Sequence, residues 1–317
     1  MKAVVFDDEL KVVTDYPMPT VKKGEALIRV LLGGICNTDY EITKGYMGYR
    51  GVLGHEFVGV VEQCEEESWI GKRVIGEINN GCEECDMCHH GLQRHCANRE
   101  TLGIWKKDGC FAEYMTWSTK DLLIVPDCVT DEQAVFVEPL AAGLEILEQV
   151  HIEPSQRVVV LGDGKLGVTT ALALNASNVD VTLVGKHENK LKVAENQGVK
   201  TVLLNEFEIT KTWDFVVEAT GSVDGFDMAL NLTKPRGTLV LKSTVAASKE
   251  FNLAPIVVDE IRVQGSRCGR FAPALRLLEN GRIDFSEMIS GVYGVDDAVA
   301  AFDANREKGA LKVLIRF

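Results

Sequence analysis

No apolar run in this chain approaches the roughly 18 uninterrupted residues that a membrane span needs. The opening MKAVVFDDEL has four apolar residues followed by three acids, which is neither a secretory core nor a transit peptide. A membrane role is therefore not expected, and a cytoplasmic location is. Positive charge is also short: 34 Lys and Arg face 47 Asp and Glu, for a formal net charge of −13 at pH 7. Binding a nucleic-acid backbone depends on clustered Lys and Arg, so a nucleic-acid partner is not expected either. Low-complexity tracts, an internal repeat and an obvious flexible linker are likewise missing, which argues against a solenoid or a disordered chain.

The 317 residues, 46% of them hydrophobic and 26% charged, suit a folded protein of two domains, each long enough for its own core. Up to about residue 125 the apolar runs are short and separated by glycine, as in AVVF, EALIRVLL, FVGVVE, FAEYMTW and LLIVP, a strand-rich pattern with turn punctuation. From about residue 135 runs such as RVVVLG, VTLVG, WDFVVEATG and GTLVLKS alternate with helical stretches. That alternation predicts βαβ units around a parallel sheet with helices on both faces. The last fifty residues carry helical patterns in APALRLLENG and DDAVAAFDANRE and end in a strand-like LKVLIRF.

Cysteine is what the chain has in number. Nine without a secretory signal are an improbable disulfide framework in a reducing compartment, so clustered ones are first read as metal ligands. Cys82, Cys85, Cys88 and Cys96 stand at CxxCxxCx7C, the closeness that four thiolates around one Zn²⁺ require, and such a closed shell leaves no open position for chemistry. A structural zinc is expected; an iron–sulfur cluster or reduced surface cysteines are the alternatives. His89, His90 and His95 lie in the same lobe and are read as solvated residues. Cys64, Cys110, Cys128 and Cys268 are read as small packing residues, with Cys268 the one to watch.

RVVVLGDGKLGV sets Gly162, Gly164 and Gly167 in GxGxxG, with Lys165 and Leu166 inside it, between an apolar strand and an apolar helix. In that context the pattern is a dinucleotide fingerprint: a tight turn, a close backbone approach to the pyrophosphate, and close packing of helix on strand. The alternative is a plain glycine-rich βα turn. An NAD site usually carries an acid at the end of the next strand, but here VTLV runs into Gly185, Lys186 and His187, while Asp180 sits at the strand's beginning. A missing acid beside a cation suits a 2′-phosphate, so NADP(H) is expected over NAD(H).

Cys36 in GGICNTDYE, His55 and Glu56 in GVLGHEFVGVVE, and Glu138 in FVEPLAAGLEIL complete the set. In this order, with the cysteine lobe and the glycine loop, they resemble the zinc-containing medium-chain dehydrogenase family over essentially the whole chain. The resemblance implies a GroES-like β-barrel catalytic domain with the zinc lobe over 1–138, and a Rossmann doubly wound domain binding NADP(H) over 139–267. A return to the catalytic domain over 268–317 and an active site in the cleft between the domains are also implied. It implies that Cys36 and His55 hold a catalytic zinc, with Glu56 and Glu138 both candidates for the remaining ligand, and two zinc ions per chain. Relatives of liver alcohol dehydrogenase have a second Cys where this chain has Glu138, whereas polyol and secondary-alcohol dehydrogenases have an acid there.

A zinc with an open position polarises an alcohol oxygen and lowers its proton affinity, and the carbon then gives a hydride to the nicotinamide. Thr38 resembles the family hydroxyl that takes the alcohol proton. Glu41 stands where many relatives place a relay histidine, in a TDxEI-like run similar to archaeal glucose dehydrogenases, which gives weight to sugar or polyol substrates. A homodimer or homotetramer is expected by the same resemblance. The rivals are a zinc-free reductase of the same superfamily, against which Cys36, His55 and the cysteine lobe argue, and a non-catalytic zinc module.

Overall fold

The computed structural model describes residues 1–244 and 249–317, and the chain divides into two compact units. The first comprises Met1–Glu138, Leu278–Asn280 and Phe285–Phe317; the second comprises Pro139–Leu277 and Gly281–Asp284. The chain thus re-enters the first unit later than the expected Cys268, because the segment 268–277 packs with the second. None of the described helices is long and apolar enough to cross a membrane.

In the first unit the expected short strands form a seven-stranded sheet. Its path runs Leu122–Ile124, Arg73–Gly76, Glu56–Cys64, Glu25–Gly34, Lys312–Arg316 and Ile289–Gly294, with Tyr114–Ser118 also paired to Glu25–Gly34. The C-terminal LKVLIRF is therefore a sheet strand, antiparallel to Glu25–Gly34, with Leu314 opposite Gly34. Its apolar residues Val313, Leu314 and Ile315 are buried, which explains why the chain's end returns to this core. Phe285, on the returning segment, stacks flat on Phe136 with ring centroids 4.4 Å apart.

The second unit is built on six parallel strands in the order Lys200–Leu203, Asp180–Gly185, Arg157–Leu161, Trp213–Glu218, Thr233–Leu241 and Arg262–Gly265. Numbered along the chain this is 3-2-1-4-5-6, the doubly wound order whose ligands bind outside the carboxyl ends of the strands where the order reverses. The strands read as continuous apolar runs because both faces are covered; Val159, Leu161, Val184, Val216 and Leu239 are all buried in one cluster.

One charged residue works against the first unit's stability. Asp121 closes the turn Thr119–Asp121, and its Oδ2 is buried without a partner. Burial pushes its carboxyl up to about 7, with Lys120 opposing and Glu77 and Glu83 adding to the shift. An unfolded chain releases this proton near ~3.9, so between the two values the folded state binds more protons and loses stability as pH rises. Asp121→Asn removes that dependence. Urea midpoints at about pH 5 and about pH 8 should show the variant gaining on the wild type at the higher pH; a constant difference would mean that Asp121 titrates normally.

Candidate active site

Strand pairing assembles the first cluster. Glu25–Gly34 runs antiparallel to Glu56–Cys64 with Gly34 opposite Glu56, so the end of one strand meets the start of the other. Two residues beyond Gly34, Cys36 caps the helix Asn37–Thr43 in extended geometry, and the Asp39 carboxylate accepts the Cys36 N–H at 2.8 Å. Just ahead of the second strand the chain turns through Gly54, at φ +93°, where a Cβ would fall 2.4 Å from the Phe111 ring. That turn delivers His55. At Gly34 a Cβ would stand 2.5 Å from the Glu56 carboxylate, so only glycine lets this side chain lie across the sheet.

Ligand atoms of Cys36, His55 and Glu56 lie within 4.8 Å of one another, and the latter two residues are buried. His55 Nδ1 faces Asp39 Oδ1 at 3.5 Å, and neither atom has a hydrogen-bond partner. Glu56 Oε1 is also buried and unpartnered, while Oε2 is bound by the ammonium of Lys312, itself buried. Burial alone would discharge His55, but Asp39 and Cys36 hold its pKa well above the ordinary value. Lys312 is likewise raised, by Glu56 and then Cys36, against burial. The pocket is thus electrically suited to a cation. A thiolate, an imidazole and one carboxylate oxygen without a partner are a three-donor set for Zn²⁺ that leaves a fourth position for an oxygen substrate.

Glu138 is not in that group, although it is near enough to Lys312 to raise the lysine's pKa. The geometry groups Glu56, and not Glu138, with Cys36 and His55. Thr38 is half-buried, with Oγ1 3.7 Å from Cys36 Sγ. Glu41, half-buried, pairs at 3.0 Å with the exposed Lys44 that caps the end of the helix Asn37–Thr43. Cys110 is wholly buried, its thiol donating to the Glu56 carbonyl and pushed up in pKa by burial.

In the cysteine lobe the sulfurs of Cys82, Cys85, Cys88 and Cys96 also lie within 4.8 Å of one another, with Cys82 and Cys96 3.4 Å apart and Cys85 and Cys88 3.7 Å apart. Four thiolates at ~2.3 Å around one zinc would stand ~3.8 Å from each other, so the lobe fits. The backbone N–H of Cys82 points at Cys96 Sγ and draws its thiol pKa down to about 6, toward the thiolate form a metal needs.

In the second unit the three loop glycines each have a steric reason. Gly162 has φ +110° and its Cβ would meet the Ala219 carbonyl at 2.5 Å. A Cβ on Gly167 would fall 1.8 Å from the Gly162 carbonyl, while Gly164 faces open space at the start of the helix Lys165–Ala176, where a ligand can approach the backbone. Lys165 and Leu166 open that helix half-buried. Gly185, Lys186 and His187 follow the second strand, Lys186 exposed. Asp180 pairs with Lys200 at the strand's beginning. The expectation that the strand end lacks a carboxylate needs correction: Asp163, from inside the glycine loop, lies there. Its Oδ2 accepts the N–H groups of Lys186 and His187, each at 2.6 Å.

Sequence reasoning missed Asp39, Lys312 and Asp163. The signals were present: an acid three residues into a helix, a lysine inside an apolar terminal strand, and a carboxylate in a loop that usually approaches phosphate.

Residues 22–127 match the alcohol dehydrogenase GroES-like domain, and residues 164–280 match the zinc-binding dehydrogenase domain. The chain is 28% identical to a sorbitol dehydrogenase of Halalkalibacterium halodurans over 96% of its own length and 94% of the relative's. A solved zinc-binding dehydrogenase from Sinorhizobium meliloti, bound to NADP, matches with a TM-score of 0.89 and 26% identity over 100% of this chain and 99% of that one. An alcohol dehydrogenase from Escherichia coli, complexed with NADH, has a TM-score of 0.90 over 100% and 99% of the two chains; at 24% identity that likeness is one of fold. The two matched domains together take in well over half of the chain, which belongs to the zinc-containing medium-chain dehydrogenase family. It is an alcohol or polyol dehydrogenase that works with zinc and a nicotinamide dinucleotide.

Lys312→Met should be severely destabilising, because it leaves the Glu56 carboxylate buried without its countercharge. Breaking such a pair costs about 3–5 kcal/mol, and adding Glu56→Gln should restore part of it. Denaturant titration of the wild type, the two single variants and the double variant checks this; additive losses would mean that the two side chains do not act as a pair.

Proposed function

We propose that this enzyme moves a hydride between a secondary hydroxyl of a polyol or sugar and the nicotinamide, using a catalytic zinc held by Cys36, His55 and Glu56 Oε1. The observation that carries the reading is the convergence of ligand atoms of Cys36, His55 and Glu56 within 4.8 Å of one another, with Glu56 Oε1 buried and unpartnered, in surroundings that favour a positive charge on His55. Bound there, zinc would supply Lewis acidity toward the substrate oxygen. Asp39 orients the His55 ring from behind, as carboxylates do for metal-binding imidazoles. Lys312 fixes the Glu56 carboxylate through Oε2, so that Oε1 is the atom left to the metal. Thr38, whose Oγ1 lies 3.7 Å from Cys36 Sγ, would take the hydroxyl proton. Glu138 tunes Lys312 from outside the donor set, and Glu41, paired with Lys44, is not a relay.

A second zinc in the cysteine lobe has a structural role. A small-molecule alcohol, polyol or sugar is the partner, in a cytoplasmic homodimer or homotetramer. The preference for NADP(H) read from Gly185 and Lys186 loses its premise to the Asp163 carboxylate, and NAD(H) becomes the favoured dinucleotide.

Purified protein should carry two zinc ions per chain, and mild chelation should remove activity before it disturbs the fold, since only the first site is open. Cys36→Ala should lose the first ion and turnover yet keep dinucleotide binding. One ion or none in carefully prepared wild type, or undiminished turnover in the variant, overturns the assignment. A panel of alcohols, polyols and aldoses should give its highest kcat/KM with a polyol or sugar; simple primary alcohols leading it would refute the substrate class.

A further inference from the structure

Asp163 occupies the position from which a strand-end acid would act. The strands Arg157–Leu161 and Asp180–Gly185 are parallel neighbours, with Leu161 beside Val184, so the loop after the first comes level with the end of the second. Asp163 is buried, 7% exposed. Besides the two backbone N–H groups, its Oδ2 stands 3.0 Å from His187 Nδ1, and Oδ1 stands 3.2 Å from the same nitrogen. A Cβ built on Gly185 would fall 2.4 Å from Asp163 Cβ and 2.5 Å from Oδ2. The glycine at the strand end is thus explained by steric exclusion, and the space a strand-end side chain would fill is taken by a carboxylate from the preceding loop.

We propose that Asp163 sets the dinucleotide specificity of this enzyme: its carboxylate accepts the adenosine ribose 2′-hydroxyl and turns away a 2′-phosphate, so that NAD(H) is preferred. This rests on the reading of the chain as a nicotinamide-dependent oxidoreductase. A carboxylate offers about four acceptor positions, and the two backbone N–H groups both fall on Oδ2, which leaves Oδ1 with capacity for a ribose hydroxyl. The same two N–H groups are what a phosphate at this strand end would seek, and they are already bound to an anion. Lys186 points the other way, but it is exposed, where a cation's attraction is weakened by water and salt, and it also lies near Asp224. The buried Asp163 charge is screened far less. The repulsion therefore outweighs the attraction.

The test is dinucleotide binding by the zinc-loaded enzyme, followed by nicotinamide fluorescence with NADH and NADPH, independently of turnover. The wild type should bind NADH more tightly, by about tenfold or more, the scale of one charge-assisted hydrogen bond. Asp163→Asn, of the same size and without the charge, should narrow or invert that ratio mainly through tighter NADPH binding. Lys186→Ala should move the ratio much less. Should Asp163→Asn fail to fold, the swap Asp163→Gly with Gly185→Asp, which returns the carboxylate to the strand and clears the room for it, should restore the NADH preference. A wild type that prefers NADPH or binds the two equally overturns the proposal, as does Asp163→Asn weakening both to the same degree, which would mark Asp163 as a support of the loop. Failure of the wild type to bind either dinucleotide would sink the oxidoreductase reading as well, whereas equal binding of both leaves that reading standing.

Discussion

The active-site cluster depends on one register, that of Gly34 set opposite Glu56 on one side and Leu314 on the other in the antiparallel sheet of the first unit. Because side chains alternate along a strand, a slip of one residue would turn Glu56 out of the cluster and Lys312 away from it together. The missing side chain at Gly34 lets the Glu56 carboxylate lie over the backbone, and the C-terminal strand brings an ammonium to meet it. Three segments distant in sequence, around residues 34, 56 and 312, thereby share one small volume. This is also why the chain's last residues belong to the first unit.

Burying that ion pair is not in itself a source of stability. Removing two charges from water is costly, and their attraction in the interior offsets the cost only when the remaining polar atoms are satisfied. Here Glu56 Oε1 is left without a partner, while Asp39 Oδ1 and His55 Nδ1 face only each other, at 3.5 Å. Native interiors rarely tolerate such groups without a compensating ligand, so the arrangement is best understood as one that a cation completes. Lys312 engages one oxygen of Glu56 and leaves the other, Oε1, without a partner and available to a cation. The cysteine lobe meets the same problem in a simpler way, with four sulfurs from one short segment and a backbone N–H that favours the thiolate.

In the second unit steric exclusion plays the corresponding part. Each loop glycine answers to a particular carbonyl or to open space for a ligand, and Gly185 answers to Asp163. In the sequence the strand-end glycine reads as a vacancy; in the fold the loop after the neighbouring strand fills that space with the Asp163 carboxylate.

Sequence alone determined what depends on local spacing. The four cysteines within fifteen residues, the glycine loop between an apolar strand and helix, and the alternation of strands and helices after residue 135 are short-range patterns, because a metal shell, a phosphate-binding turn and a βαβ unit are each built from neighbouring segments. Cys36, His55 and Glu56 were legible through their resemblance to a family. The tertiary structure decided what depends on contact between distant segments. It set Glu56, rather than Glu138, in one group with Cys36 and His55, and against Lys312 some 250 residues further on. It paired Glu41 with Lys44 and set Asp39 against His55 Nδ1. It also set Asp163 at the end of the neighbouring strand. The type and spacing of residues along the chain say which groups are available to chemistry, but the partner of a buried charge is fixed by strand pairing and register, and those exist only once the chain has folded.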